Sequence, residues 1–259
     1  MSRDLPADPS RIALITGAPR RIGRAIALDL ARHGWSIGVH CRVPDADAEA
    51  TAAAIRAEGV RATIIDADLA DQAAVAGILP RLAVELGPCR LLVNNASIFA
   101  YDDISTLSAA GWNTALAVNL TAPVLLAQAF AAQLPRAERG NIVNIVDQRV
   151  LKPTPHFFAY AASKSALWAA TQTLAQALAP AIRVNAIGPG PVLASVHQSA
   201  AEFDAQARAT LLGHGTTPAE IAAAVRFILD APAMTGQLIL LDGGQHLAWQ
   251  TPDVGDGRG

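Results

Sequence analysis

Short continuous apolar runs, each closed by turn residues, alternate along this chain with longer alanine-rich segments of helical period, and few folds accept that alternation. A run such as Ile12-Ala13-Leu14-Ile15 has no polar alternate, so a strand made from it must be covered on both faces. Strands of that kind belong to parallel sheets, whose crossover connections are helices. Runs at 12–16, 36–40, 61–66, 91–95, 141–146, 182–187 and 237–241 predict seven strands. Segments 21–33, 46–58, 71–86, 109–134, 159–178 and 218–229 predict six helices between them. The expected architecture is α/β: one domain over residues 11–249, built on a doubly wound parallel seven-stranded sheet with helices on both faces. Residues 1–10 and 250–259 are rich in Pro, Gly and Asp and are expected to be flexible tails. The stretch 189–217 reads as a long irregular connection of the kind that serves as a lid or binding loop.

Charge narrows the class of partner. Lys+Arg 20 against Asp+Glu 22 leaves a formal charge of −2 over 259 residues, without a basic stripe or a block of like charge. Nucleic acid and anionic membrane surfaces are therefore not expected partners, and a small molecule is. Cys41 and Cys89 are too few for a disulfide framework and lack metal-ligand spacing, so they read as small buried residues in a reducing compartment. No secretory signal pattern and no apolar run approaching a membrane span is read, so the expected setting is the cytoplasm. Neither is a metal constellation found.

Only two lysines and two tyrosines occur, and one of each falls in Tyr160-Ala161-Ala162-Ser163-Lys164, four apart on a helical segment and so on one face. A cation beside a phenol favours the phenolate, which predicts a lowered pKa for Tyr160 and a role in proton transfer. The alternative is a solvated ion-type pair on a surface helix. At the other end of the chain, the first strand runs through Thr16-Gly17-Ala18-Pro19-Arg20-Arg21-Ile22-Gly23 into a helix. Gly17 suits a tight turn, Gly23 close helix packing, and the helix N-terminus a phosphate. The second strand ends His40-Cys41-Arg42, with no acid until Asp45 to take a ribose 2′-hydroxyl. Arg42, His40 and an arginine of the Arg20-Arg21 pair suit a 2′-phosphate instead, which favours NADPH/NADP over NAD. Solvated surface charge is the competing account of these arginines.

Taken with Asn94-Asn95-Ala96-Ser97 after the fourth strand and Gly188-Pro189-Gly190 after the sixth, the chain resembles the short-chain dehydrogenases/reductases from about Arg11 to His246. The resemblance implies a Rossmann-type fold and an oxidoreductase. It implies cofactor contacts at Gly17, Arg20, Arg21, Ile22, Gly23, His40, Arg42, Asn95, Ala96 and Ser97, with Asp68-Leu69 at the adenine and Pro189 and Gly190 supporting the nicotinamide. It makes Tyr160 and Lys164 catalytic and cofactor-binding, and Asn119 the helix asparagine that holds a water in the proton relay. Homotetramers are usual among similar proteins, so Gln245-His246-Leu247-Ala248-Trp249 is expected at a subunit interface or a neighbour's site.

Two departures refine this reading. The middle glycine of the first turn is Arg21, and Asp147 stands where most members carry a catalytic serine. An ionised carboxylate about 4 Å from a developing alkoxide opposes it by roughly 4 kcal/mol at an effective dielectric near 20, about a thousandfold in rate. A C=N bond, whose nitrogen needs a proton as its carbon takes hydride, suits a carboxyl better. The pair resembles the pteridine reductases and dihydromonapterin reductases, and Phe99 falls where an aromatic stacks a pterin against the nicotinamide. Substrate contacts are thus expected from Arg21, Ser97, Phe99, Asp147 and Tyr160. Rival readings are a carbonyl or alcohol reductase of ketoacyl or sugar type, a helix-capping or ion-paired Asp147 in an altered enzyme, and a non-catalytic NADP(H)-binding protein.

Overall fold

A strand with apolar side chains on both faces needs cover on both, and the chain supplies it with helices between strands. In the computed structural model, which describes residues 10–194 and 198–249, the strands are β1 (Ile12–Ile15), β2 (Ser36–Cys41), β3 (Ala62–Asp66), β4 (Leu91–Asn94), β5 (Gly140–Ile145), β6 (Ile182–Pro189) and β7 (Leu238–Leu241). The helices are α1 (Arg21–Arg32), α2 (Ala46–Ala57), α3 (Gln72–Glu85), α4 (Ala109–Leu116), α5 (Ala122–Gln133), α6 (Phe158–Leu178), α7 (Ala200–Arg208) and α8 (Pro218–Asp230). The expected tails at 1–10 and 250–259 lie, Ser10 apart, outside the described residues.

The seven strands pair in the order β3-β2-β1-β4-β5-β6-β7, all parallel. Alternate residues of β1 serve opposite faces: Ala13 and Ile15 pack with Leu30, Ile55 and Val225 from α1, α2 and α8, while Ile12 and Leu14 pack with Ile78, Leu126 and Phe130 from α3 and α5. The strand order turns back between β1 and β4, and the crevice outside the carboxyl ends of those two strands is where an open α/β sheet takes ligands.

Every expected strand is present, displaced by at most two residues at an end. The helices differ more. The single helix expected over 109–134 is broken into α4 and α5 by a π-helical turn at Ala117–Thr121, which carries Asn119. By length and composition Ala109–Gln133 would also serve as a membrane span, contrary to the expectation that no apolar run approaches one. Its inner residues, Leu126 and Phe130 among them, are buried against the sheet, and the hydropathy is that of a core helix. Within 189–217, expected to be irregular, α7 forms instead. The Ser199 hydroxyl accepts from the Glu202 backbone and the Glu202 carboxylate from Ser199, a capping box that starts the helix although none of its residues is buried.

The β1–α1 turn has the least room for substitution. Gly17 has φ +64, the left-handed region glycine enters at little cost. A Cβ on Gly23 would collide with the Gly17 carbonyl oxygen and lie 2.7 Å from Asn95 Nδ2. Gly23→Ala should therefore lower the unfolding free energy by about 1–3 kcal/mol, as for other overpacked sites, measured by urea denaturation against wild type.

Candidate active site

The crevice is laced at its base by the end of β1. Thr16 Oγ1 accepts the backbone N–H groups of Asn95 at 2.9 Å and Ala96 at 3.0 Å. Asn95 Nδ2 in turn donates to the carbonyls of Thr16 at 2.9 Å and Gly17 at 3.2 Å. A cavity of about 450 Å³ opens above this turn, lined by Gly17, Arg20, Arg21, Ile22, Gly23, His40, Arg42, Asp68, Leu69, Asn95, Ala96 and Ser97. Helix α1 begins there with no side-chain cap and no acidic residue in its first turn, so its N–H donors and positive dipole end meet no competing side-chain oxygen.

Two members of the expected cationic pocket take other parts. His40 is buried; its Nδ1 accepts from the Gly17 N–H at 3.3 Å, so Nε2 carries the proton toward the Ala67 carbonyl at 3.2 Å. Burial pushes its pKa down to about 4, and the ring is neutral at pH 7. It is a brace for the glycine turn and offers a phosphate no charge. Arg20 pairs with Asp47 at 3.3 Å and Asp45 at 3.8 Å, both in solvent. Arg42 is left as the arginine beyond β2 that lines the cavity.

A second cavity of about 670 Å³ shares Arg21, Ile22, Asn95 and Ser97 with the first and is lined further by Phe99, Asp147, Arg149, Phe157, Tyr160, Lys164, Pro189 and Gly190. Helix α6 presents Tyr160 and Lys164 to it from one face, as their spacing predicts. Asn144 helps seat that helix on the sheet: its Nδ2 donates to Thr171 Oγ1 at 2.8 Å, and its Oδ1 accepts from Asn94 Nδ2 at 2.8 Å.

Tyr160 Oη donates to Asp147 Oδ2 at 2.8 Å. Its pKa stands well above the ordinary tyrosine value, first because the residue is buried and then because the Asp147 carboxylate is its nearest charge, with Arg149 pulling the other way. The expected lowering by lysine is therefore corrected. The Lys164 ammonium lies 5.8 Å from the Tyr160 ring centroid and donates to the Ile145 carbonyl at 2.7 Å. Burial pushes Lys164 down to about 8, which leaves it mostly protonated at pH 7. Two unit negative charges 2.8 Å apart, as a phenolate and a carboxylate at this distance would be, repel by roughly 6 kcal/mol at an effective dielectric near 20.

Asn119 lines neither cavity. Its Oδ1 accepts from Ile98 N at 2.8 Å and Ser97 Oγ at 3.2 Å, and its Nδ2 donates to the Ile98 carbonyl and Ser163 Oγ, both at 3.0 Å. The side chain is spent on tethering the segment after β4 to α6. Asp147 is both a cap and an ion-pair partner: Oδ1 accepts from Arg149 N at 2.8 Å at the start of the 3₁₀ turn Gln148–Val150, and Oδ2 lies 3.2 Å from Arg149 Nη1.

Several lining residues carry no sequence motif. Arg149 has none, beyond being a basic residue two places after Asp147. Phe157 stacks on Phe99 with centroids 4.2 Å apart and planes 11° from parallel, and Phe99 meets Tyr160 edge-on at 4.7 Å. Tyr101, also in the wall, meets Phe157 edge-on, while His156 reaches Tyr101 Oη at 3.1 Å from an exposed position. Phe157 and Arg21 are, among the described residues, the two non-glycines with positive φ, +56 and +52. Each such residue costs on the order of 1–2 kcal/mol. Asp102 secures the first: its carbonyl accepts from Phe157 N at 2.8 Å, and its carboxylate from Ala159 N at 3.2 Å. Arg21 reaches out to the carbonyls of Leu193 at 3.1 Å and Ala194 at 3.0 Å.

His40 yields a stability prediction. Unfolded, this imidazole takes up a proton near pH 6.5; folded, it does so only near about 4. The unfolded chain thus binds the extra proton between those values, and the contribution present above pH 6.5 is lost as pH falls. Between pH 7 and pH 5 wild type should lose about 2 kcal/mol more than His40→Gln, measured by urea denaturation at each pH. Tyr160→Phe, which removes the hydroxyl and leaves the ring contacts, should retain the stability of wild type to within about 1 kcal/mol in the same assay.

Residues 11–205 match the family model for short chain dehydrogenase. The FolM alternative dihydrofolate reductase 1 of Brucella suis, solved in complex with NADP, is 46% identical and superposes with a TM-score of 0.92, over 95% of this chain and 99% of that one. A short-chain type dehydrogenase/reductase of Picea abies is 30% identical over 91% of this chain and 92% of its own length. A 3-oxoacyl-(acyl-carrier-protein) reductase of Synechocystis sp. (strain ATCC 27184 / PCC 6803 / Kazusa) is 29% identical over 91% and 96%. With a matched family model over most of its length, a parallel sheet switching direction beside its glycine turn, and Tyr160 and Lys164 facing the crevice, the chain belongs to the short-chain dehydrogenase/reductase family.

Proposed function

We propose that this chain is an NADPH-dependent reductase of a pteridine, a dihydropterin such as dihydromonapterin or dihydrobiopterin. The observation that carries the reading is the hydrogen bond from Tyr160 Oη to Asp147 Oδ2, made in a cavity walled by Phe99. A pterin is flat, presents N–H donors that a carboxylate accepts, and has a ring nitrogen to protonate; a simple ketone has none of these. The 46% identity to FolM alternative dihydrofolate reductase 1 supports the same class of substrate.

The nucleotide end fits a dinucleotide phosphate. Uncapped α1, the Gly17 turn and the missing side chain at Gly23 leave backbone donors accessible, and Arg42 stands beyond β2 where NAD-binding sites carry an acid. When bound, NADPH supplies the hydride. Asp68 and Leu69 are assigned to the adenine side, and Asn95, Ala96, Pro189 and Gly190 to the walls beyond it. Lys164 orients the nicotinamide ribose. Arg21 and Ser97, lining both cavities, serve both ligands. Phe99 fixes the plane of the substrate ring, Tyr160 delivers its proton to the ring nitrogen next to the reduced carbon, and Asp147 orients that hydroxyl and the substrate edge. Asn119 positions Ser163 and α6 and holds a water of the proton relay.

A carbonyl substrate, ketoacyl or sugar, is the second reading, favoured by the likeness to the Synechocystis reductase. The chain is further proposed to act as a homotetramer in the cytoplasm: Leu247 and Trp249, 58% and 66% exposed, offer an apolar segment to a second copy, and both cysteines are free. A monodisperse monomer in light scattering would remove the tetramer.

NADPH oxidation followed at 340 nm with 7,8-dihydromonapterin, 7,8-dihydrobiopterin and a ketone panel should show turnover of the pterins. Tyr160→Phe should remove nearly all of it while NADPH still binds, and Asp147→Ser should cost on the order of a hundredfold or more. Turnover confined to ketones, raised by Asp147→Ser, would establish the carbonyl reading instead.

A further inference from the structure

Arg149 is joined to Asp147 twice, by its backbone N–H to Oδ1 at 2.8 Å and by Nη1 to Oδ2 at 3.2 Å, the oxygen that also accepts from Tyr160. The two side chains are only 18% and 15% exposed, so solvent screens the pair weakly. The neighbouring aromatic rings do not explain the placement. Phe99 and Phe157 stack at 4.2 Å, and the Arg149 guanidinium carbon is 5.6 and 5.4 Å from their centroids. Near-equal distances set it at the rim of the stack, where ring edges are electropositive, whereas a group over one outer face would stand much further from the second ring. The carboxylate is what holds it.

We propose that Arg149 is a positioning residue that fixes the Asp147 carboxylate on Tyr160 and offsets its charge while the phenol releases its proton. The inference rests on the proposed role of Tyr160 as proton donor. In that step the Tyr160 O–H bond breaks and an N–H bond forms on the substrate, whose adjacent carbon takes the hydride as NADPH is oxidised. A phenolate is left at hydrogen-bonding distance from a carboxylate, the arrangement that repels most strongly in this site. A neutral serine at residue 147 would need no counter-charge; an aspartate does, and the guanidinium on the shared oxygen provides it. The other charged groups facing the cavity are Lys164 on α6, Arg21 at the start of α1 and Glu202 on α7. Lys164 feels the Asp147 charge at longer range, but its ammonium donates to the Ile145 carbonyl at 2.7 Å and stands 5.8 Å from the Tyr160 ring centroid, whereas Arg149 is on the shared oxygen itself. Burial and Asp147 make the proton of Tyr160 harder to release, and Arg149 acts against both.

The test is a cycle of Arg149→Gln and Asp147→Asn, with Arg149→Lys as the conservative variant, measured by kcat on a 7,8-dihydropterin and on the ketone panel. NADPH affinity, read from its fluorescence, reports folding. Arg149→Gln should lower kcat on the order of a hundredfold with NADPH affinity changed by less than about twofold. Arg149→Lys should recover to within about tenfold of wild type, and in the Asp147→Asn background the Gln substitution should cost less than about threefold further. Equal losses in both backgrounds, a lysine no better than glutamine, or no loss at all would overturn the inference while pterin turnover by wild type left the substrate reading standing. Should wild type reduce only ketones, the substrate reading fails and the same cycle on the ketone decides the role of Arg149; a wild type inert toward both removes the two together.

Discussion

The carbonyl of Gly17 is where this structure is anchored. Helix α1 can approach the sheet only because Gly23 has no side chain to meet that oxygen, and the Asn95 amide, arriving from the end of β4, donates to the same group. The Gly17 N–H is taken by His40 at the end of β2. Three strand ends and one helix start therefore converge on a single peptide turn. With its polar groups met by named partners, the turn leaves the first N–H groups of α1 pointing to the cavity, which is what an anion requires.

From that corner, contacts run on to the cavity lined by Tyr160, Asp147 and Lys164. Residues 95–98 follow directly, Asn119 holds Ile98 through both its amide atoms, and its Nδ2 reaches Ser163, whose hydroxyl donates to the Tyr160 carbonyl at 2.7 Å. The π turn in the long helix has a purpose in this light, because a helix that bulges at Asn119 can set that amide between the sheet and α6. In the proposed reaction Asn119 acts through position, and Tyr160, Asp147 and Lys164 through charge and protons.

Much of this was legible in the residues themselves. Continuous apolar runs gave the strands, and fixed spacings with short reach, Gly17 to Gly23 and Tyr160 to Lys164, gave the two ends of the site. What escaped depends on contacts between distant segments. His40 reads as a potential cation until its burial between Gly17 and Ala67 is known, and Tyr160 reads as acidified until Asp147, rather than Lys164, proves to be its nearest charge. Helix α7 could have been found, since Ser199 and Glu202 stand at capping-box spacing, although its sequence buries nothing and so lacks an apolar stripe. No local pattern announces that Phe157 will lie on Phe99.

The two left-handed residues bear on how this protein can be engineered. Glycine would adopt the backbone of Arg21 or Phe157 more easily than either residue present, so backbone strain taken alone would favour replacing both. Those are the side chains that line the cavity from its two ends, one joining the nucleotide turn to the Leu193–Ala194 backbone and one covering Phe99. A variant relieved of that strain would lose the Arg21 hydrogen bonds, the Phe157–Phe99 stack and the cavity shape they maintain, and an easier backbone would be a misleading guide to a better catalyst.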